Sequence, residues 1–478
     1  MRRSIHRSAG EKAWASRKVG NPCLAWRLTP ITWFNWIDRF GDHSQVMNVR
    51  NRSFDGLAWK TLYRSRKLRQ KGKGSVLELV GLVGKANVGK STLFSAMTLI
   101  PVEIANFPFT TVKANRGVTH LRVPCACREL GVTDDPKNSL CSRGVRLVPV
   151  EIIDCPGLIS DAHRGRGLGF QFLDEIRQAD ALIVVCDAAG ATDPDGSPAS
   201  PGSFDPVDDV KMVEEEYSHW MAGILARDWQ KISKSAGVGR SDFMQELEAR
   251  LSGLKVKRAE IEKAWSELDV GTKAPSLWKE DDLLRFAQEL RRITKPFVIA
   301  ANKIDIPEAE NNLEELRKLG YPVVPCSAEA ERILRLAASK GLIDYVPGDG
   351  GFTLVRGASL SAEQRRALDM IDEKILAKWG STGVQQLTNT AYLDVLRYIP
   401  VFPVEDAERL TDHDGNVLPD VYLMPPGNTS KDLAFKIHSD LGKGFLYGVD
   451  ARRKIRLGDD YELKWGDVIS IVSAGRRG

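Results

Sequence analysis

Residues 84–91, Gly84-Lys85-Ala86-Asn87-Val88-Gly89-Lys90-Ser91, constrain this chain more than any other stretch. They fit G-x-x-x-x-G-K-[ST], a pattern that carries weight only when a buried strand feeds it and a helix leaves it. Both flanks are present: 77–83 is a mostly apolar run, and 90–97 has the look of a helix. Phosphate oxygens need several donors aimed at one spot, and a loop with glycine at each end turns its amides inward without Cβ clashes. A helix starting near Lys90 adds its positive end, Lys90 adds a cation, and the Ser91 hydroxyl is a ligand for Mg²⁺, with Thr92 in the same turn.

Four later segments read as companions of that loop. Residues 106–111, Asn106-Phe107-Pro108-Phe109-Thr110-Thr111, form a polar loop with two hydroxyls. The apolar run 145–154 reads as a strand ending in Asp154-Cys155-Pro156-Gly157, where Asp154 would stand behind Mg²⁺ and the Gly157 amide would be open to a γ-phosphate. After a buried strand at 181–186, the strand-like runs 296–301 and 322–325 end in Asn302-Lys303-Ile304-Asp305 and Cys326-Ser327-Ala328-Glu329. Polar loops at such strand ends are where a base sits in a doubly wound sheet. A carboxylate such as Asp305 accepts from guanine N1–H and N2–H₂ together, and adenine offers it nothing equivalent. A site built on such bonds rejects the mismatch by about 10⁴-fold.

The rest of the chain has a different texture. Residues 1–73 hold 17 Lys+Arg against 4 Asp+Glu, leaving 51 basic and 59 acidic residues in the remainder. A basic arm on a mildly acidic body points to a polyanionic partner. Five of the 11 tryptophans (Trp14, Trp26, Trp33, Trp36, Trp59) also fall there. An RNA-touching arm, an organelle transit peptide and an over-extended translation start, with Met47 as the internal alternative, compete for this segment; the tryptophans favour the last. Seven cysteines without a secretory signal fit a reducing compartment, hence the cytoplasm. Cys125, Cys127 and Cys141 cluster around Asp134 and Asp135, a donor set suited to zinc, but no C-x-x-C pair is present and a plain loop is the competing reading. No run of about eighteen apolar residues appears, so no membrane span is expected.

Residues 190–206 read as a Gly/Pro/Ser/Asp boundary. Beyond it, Val213, Tyr217, Trp220, Ile224 and Leu225, then Leu247, Leu251, Leu254, Ile261, Ala264 and Leu268, follow helical spacing. The expectation is a helical hairpin whose second arm runs about 39 Å. Residues 330–397 are mainly helical. The tail alternates short strands at 401–404, 417–423, 445–449 and 468–472 with one helix from 430 to 441, closed by Gly442.

With these loops in this order, the chain from about residue 77 onward resembles the Obg-related, YchF-type GTPases, in particular their archaeal-like branch. The resemblance implies an α/β fold: a P-loop NTPase doubly wound sheet with an inserted α-helical hairpin and a C-terminal β-grasp (ubiquitin-like, TGS) domain. The expected division is a basic, Trp-rich extension (1–73), a GTP-binding domain (74–345) with a helical insertion (205–290), a helical connector (346–398) and the TGS domain (399–478). The same resemblance implies GTP and GDP as ligands with Mg²⁺, Thr111 in switch I as a metal ligand with Thr110 as the alternative, and 163–169 as switch II. It also implies ribosome or RNA contact through the TGS domain, with no DNA or membrane partner and a monomeric state. Relatives of the bacterial and eukaryotic branch often lack N-K-x-D and prefer ATP, so Asn302, Lys303 and Asp305 argue for GTP. An ATPase of the same architecture, and a ribosome- or RNA-binding protein using nucleotide as a structural ligand, are the alternatives.

The chain departs from the family pattern at several places. Ala86 stands where proline is usual, Pro156 where alanine is usual, and Arg164 where Glu is common. Asp134 replaces a frequent cysteine, which counts against a metal there. Leu158 follows Gly157 where many GTPases carry a water-orienting Gln, so slow hydrolysis is expected. The candidate catalytic groups are then Lys90, Thr111, Gly157 and His163, with a monovalent cation such as K⁺ near Asn87, or a partner, as other ways to orient water.

Overall fold

The computed structural model describes residues 79–99, 115–158, 162–164, 175–237, 239–268 and 273–474. The first 73 residues, the 106–111 loop with Thr110 and Thr111, most of 163–169 and the His163 side chain lie outside the described residues.

All five residues of β1 (Leu79–Val83) are buried, and its neighbours explain why. Among the described residues, β1 joins β2 (Asn115–Pro124), β3 (Leu140–Ser142), β4 (Val145–Asp154), β5 (Ala181–Asp187), β6 (Phe297–Asn302) and β7 (Val323–Cys326) in one sheet of order β2-β4-β1-β5-β6-β7, with β3 also on β4. β4, β1, β5, β6 and β7 run parallel, whereas β2 pairs antiparallel with β4 over ten residues. Layers on both faces make the central strands continuous apolar runs. Leu79 and Val83 pack into one core with Leu182, Val184, Phe297 and the insertion helices. Val80 and Leu82 pack into the other, with Leu93, Phe94 and Met97 of the helix Lys90–Thr98. Period-two alternation along one strand thus feeds two layers.

The insertion differs from the expected hairpin in its second arm. Its first arm is one helix, Pro206–Ala226, capped by Asp205 accepting from Val207 N. Where one long rod is expected, the helices Arg240–Leu251 and Arg258–Glu267 are separated by a 3₁₀ turn, Ser252–Leu254, and by Lys255 at φ 59°. A left-handed residue cannot continue a helix, and apolar spacing alone does not reveal one. Trp265 and Trp278 stack at 5.0 Å between centroids, with Phe243 and Phe286 edge-on to Trp265, so an aromatic core holds the broken arm. The chain then returns to the sheet through the helix Glu280–Thr294.

The C-terminal part is a five-stranded sheet in which Ile399–Val404 and Val468–Ser473 pair parallel at the centre. Leu433 of the helix Ser430–Ile437 packs against Val401, Met424 and Ile469. The expected helix to residue 441 instead ends at His438, which is extended (φ −159°, ψ 140°), and a short second helix, Ser439–Lys443, takes in Gly442. The expected strand at 417–423 shrinks to Tyr422–Met424, because Leu418 turns at φ 45°. Among the described residues no helix is long and apolar enough to cross a membrane.

Candidate functional site

The carboxyl ends of the parallel strands share one edge of the sheet, and the polar loops of the sequence gather there. The loop after β1 requires both its glycines. Gly84 has φ 146°, and a Cβ there would meet Val185 O at 2.3 Å; Gly89 has φ 99°, and a Cβ would meet Asn302 Nδ2 at 2.2 Å. Asn87 between them is also left-handed, at φ 60°. The amide of Leu158 donates to Gly84 O at 3.0 Å, and Gly157 sits beside Ala86, so the segment after β4 lies against the loop.

Lys90 is buried at the first position of its helix and donates to Lys85 O at 2.6 Å. Burial lowers its pKa to about 8, with Asp154 partly opposing the shift. Ser91 Oγ donates to Asp154 Oδ2 at 3.0 Å, while Asp154 Oδ1 is buried without a partner. Desolvation raises the Asp154 pKa to about 6 against the pull of Lys90. An orphaned carboxylate oxygen beside a serine hydroxyl at a helix N-terminus fits a divalent cation that would be shared with phosphate. Thr92 occupies the next, half-buried position of the same turn.

Asn302 joins the phosphate side to the base side. Its Nδ2 donates to Val88 O at 2.8 Å, and its Oδ1 accepts from Ala328 N at 3.1 Å. Lys303, at φ 71°, pairs with Asp187 at 2.8 Å. Ser327 Oγ donates to Asp305 Oδ1 at 2.8 Å and also caps the helix Ala328–Ser339, accepting from Ala330 N. Glu329 is engaged with Arg332 at 3.3 Å. The structure therefore brings Gly84 to Thr92, Asp154, Gly157, Asn302, Lys303, Asp305, Ser327 and Ala328 together.

Several contacts of the site were not visible in the motifs. Lys85 is bound to Asp209 of the first insertion helix at 2.7 Å and to Thr192 O at 2.8 Å, so its side chain is spent on structure. Asp187 gathers Thr192 Oγ1 and the amides of Ala189 and Ala191 beside Lys303. The 190–206 stretch is part of the site's wall: Gly196 O accepts from Asn87 Nδ2 at 2.8 Å, and a Cβ on Gly196 would meet Ala86 Cβ at 2.6 Å. The signal available was Asp187 at the end of an all-apolar strand, the same position that Asp154 occupies on β4.

Comparison with known proteins shows the family. Three family profiles match: "50S ribosome-binding GTPase" over residues 79–216, "Obg-like GTPase YGR210-like, G4 motif-containing domain" over 300–406, and "TGS domain" over 410–473. An uncharacterized GTP-binding protein of Methanocaldococcus jannaschii is 46% identical, the match covering 84% of this chain and all of that one. The "ribosome-binding ATPase YchF" of Escherichia coli O157:H7 is 26% identical over 82% of this chain and 98% of its own. The crystal structure of a GTP binding protein from Pyrococcus horikoshii OT3 superposes with a TM-score of 0.65 at 40% identity, covering 83% of this chain and 99% of that one. With the phosphate loop, the Asn302–Asp305 loop and the TGS domain in one order along the chain, the protein belongs to the YchF-type, Obg-like family of P-loop GTPases.

Proposed function

We propose that this chain binds GTP with Mg²⁺ and hydrolyses it slowly to GDP and phosphate, as a cytoplasmic, monomeric switch acting on the ribosome. One observation carries the reading: Asn302 bonds both to the phosphate loop, at Val88 O, and to the base-side loop, at Ala328 N, so one rigid side chain sets the distance between the two ends of the nucleotide. In this reading Asp305 accepts from guanine, and its bond to Ser327 supports that role by fixing the carboxylate. Lys90 exchanges the Lys85 carbonyl for phosphate oxygens, and the helix N-terminus adds its partial charge.

Ser91 and Thr111 would hold Mg²⁺, with Asp154 behind Ser91; the ion when bound neutralises charge on the phosphate oxygens. The Gly157 amide would meet the γ-phosphate, so that switch I and switch II order around it and are released on hydrolysis. His163 is the chain's own candidate for orienting the attacking water. Asn87 donates through Nδ2 to Gly196 O, which orients its amide; a K⁺ ion would take the Oδ1 of that group.

The ribosome enters through the names of relatives, through the TGS domain and through the basic arm of 1–73. The name of the E. coli relative favours a second reading, an ATPase; the Asp305–Ser327 pair favours guanine. Competition of unlabelled ATP against labelled GTP decides between them: GTP is expected to survive equimolar ATP, and displacement would overturn the GTP assignment. Single-turnover phosphate release is expected to rise when ribosomes are added, and an unchanged rate would reduce the nucleotide to a structural ligand.

A further inference from the structure

Three thiols and a carboxylate converge where β2 ends, at the edge that carries β3. Cys125 follows β2, Cys127 lies in the short helix Ala126–Leu130, Asp134 is in the following loop and Cys141 is in β3. Their donor atoms all lie within 4.8 Å of one another. We propose that Cys125, Cys127, Asp134 and Cys141 form a structural zinc site that fixes the loop on which the C-terminal domain docks.

The spacings suit one tetrahedral ion. Zn–S bonds of about 2.3 Å put tetrahedral sulfurs about 3.8 Å apart, and a Zn–O bond of about 2.0 Å puts oxygen about 3.5 Å from sulfur. Cys127 Sγ and Cys141 Sγ are 3.8 Å apart, and Cys125 Sγ is 3.2 Å from Asp134 Oδ2. Cys141 reaches the other three donors because β3 folds back on β4. The replacement of cysteine by Asp134 keeps an anionic donor at the fourth corner. On binding, three thiols lose their protons to solvent and the hydrated ion's Zn–OH₂ bonds break, releasing its waters, as three S–Zn bonds and one O–Zn bond form.

Four anionic donors around Zn²⁺ leave two negative charges, and the neighbouring cation offsets one of them. Arg146 is fully buried, donates through Nε to Cys125 Sγ at 3.4 Å and pairs with Asp134 at 2.8 Å. Such outer partners orient ligands and tune affinity. The same guanidinium donates to Leu418 O at 2.9 Å in the C-terminal part. Around it the loop continues the contact: Asp135 N donates to Val417 O (2.8 Å), Lys137 N to Pro419 O (2.7 Å), and Asn138 Oδ1 accepts from Val421 N (3.0 Å). Fixing the loop therefore fixes the docking edge.

The full chain, purified without added metal, is expected to carry about one zinc per molecule by elemental mass spectrometry. After chelation under reducing conditions, Co²⁺ should restore a thiolate-to-cobalt charge-transfer band, which the nucleotide's oxygen ligands cannot produce. Cys141→Ser should cut zinc content to below about a tenth. Asp134→Asn should weaken Co²⁺ binding at least about tenfold while leaving the charge-transfer band in place. Exchange of the Asp135, Lys137 and Val421 amides should speed up at least about tenfold when zinc is removed. A chain that stays metal-free after Zn²⁺ addition, or binds Co²⁺ without the band, overturns the site; unchanged amide exchange overturns its docking role. Should Cys141→Ser fail to fold, the cobalt titration of the unaltered chain decides.

Discussion

Raising the pH from 7 to 9 is expected to weaken nucleotide binding about tenfold through Lys90. Burial depresses this lysine in the free protein to a pKa of about 8, and its ammonium donates to the Lys85 carbonyl. It is then about nine-tenths charged at pH 7 and about one-tenth charged at pH 9. Phosphate oxygens favour the ammonium form, so the pKa in the complex lies above that of the free protein. The sign follows: affinity is full below about pH 7, falls as pH rises through 8, and levels only above the bound-state pKa. The lost tenfold corresponds to about 1.4 kcal/mol, and binding at pH 8 should take up about half a proton. Calorimetry in buffers of different ionisation enthalpy measures that proton directly. Guanine's own N1 proton titrates in the same direction at higher pH, so Lys90→Ala is the control: it should bind weakly at every pH and lose the uptake at pH 8. Zero uptake by the unaltered protein, or the same uptake by Lys90→Ala, would refute the placement of this lysine on the phosphates.

Gly89→Ala puts a Cβ 2.2 Å from Asn302 Nδ2 at a φ of 99°, a strain of about 1–3 kcal/mol; GTP affinity measured by fluorescence titration should fall about tenfold or more. Lys85→Met leaves Asp209 buried without its cation, and urea unfolding should report a loss of about 3 kcal/mol; no loss would mean the pair is not formed in solution. Asp154, with a pKa of about 6, is about nine-tenths ionised at pH 7 and about one-tenth ionised at pH 5, so between pH 7 and pH 5 the gain in nucleotide affinity on adding Mg²⁺ should shrink about tenfold more in the unaltered protein than in Asp154→Asn, where only the nucleotide's own terminal phosphate titrates. Asp305→Asn should weaken GTP about 10–100-fold by removing a charged acceptor and leave ATP binding unchanged.

Local chemistry made the phosphate loop legible before any coordinates. Gly84, Gly89, Lys90 and Ser91 must be adjacent in the chain because one turn has to do all the work, and so must Asn302, Lys303 and Asp305. The burial of β1 on both faces was likewise written into an uninterrupted apolar run. The tertiary structure decided what depends on partners remote in sequence. Lys85 reads only as a position in the phosphate loop, and the partner of its side chain, Asp209, lies over a hundred positions away. The 190–206 stretch reads as a boundary until Gly196 closes on Asn87. Lys255 breaks a helix whose apolar stripe runs on unbroken, and three cysteines without a paired motif meet only because β3 turns back. A motif is readable when its donors share one turn of backbone; a contact between distant segments depends on how the sheet brings their ends together, and no local pattern records that.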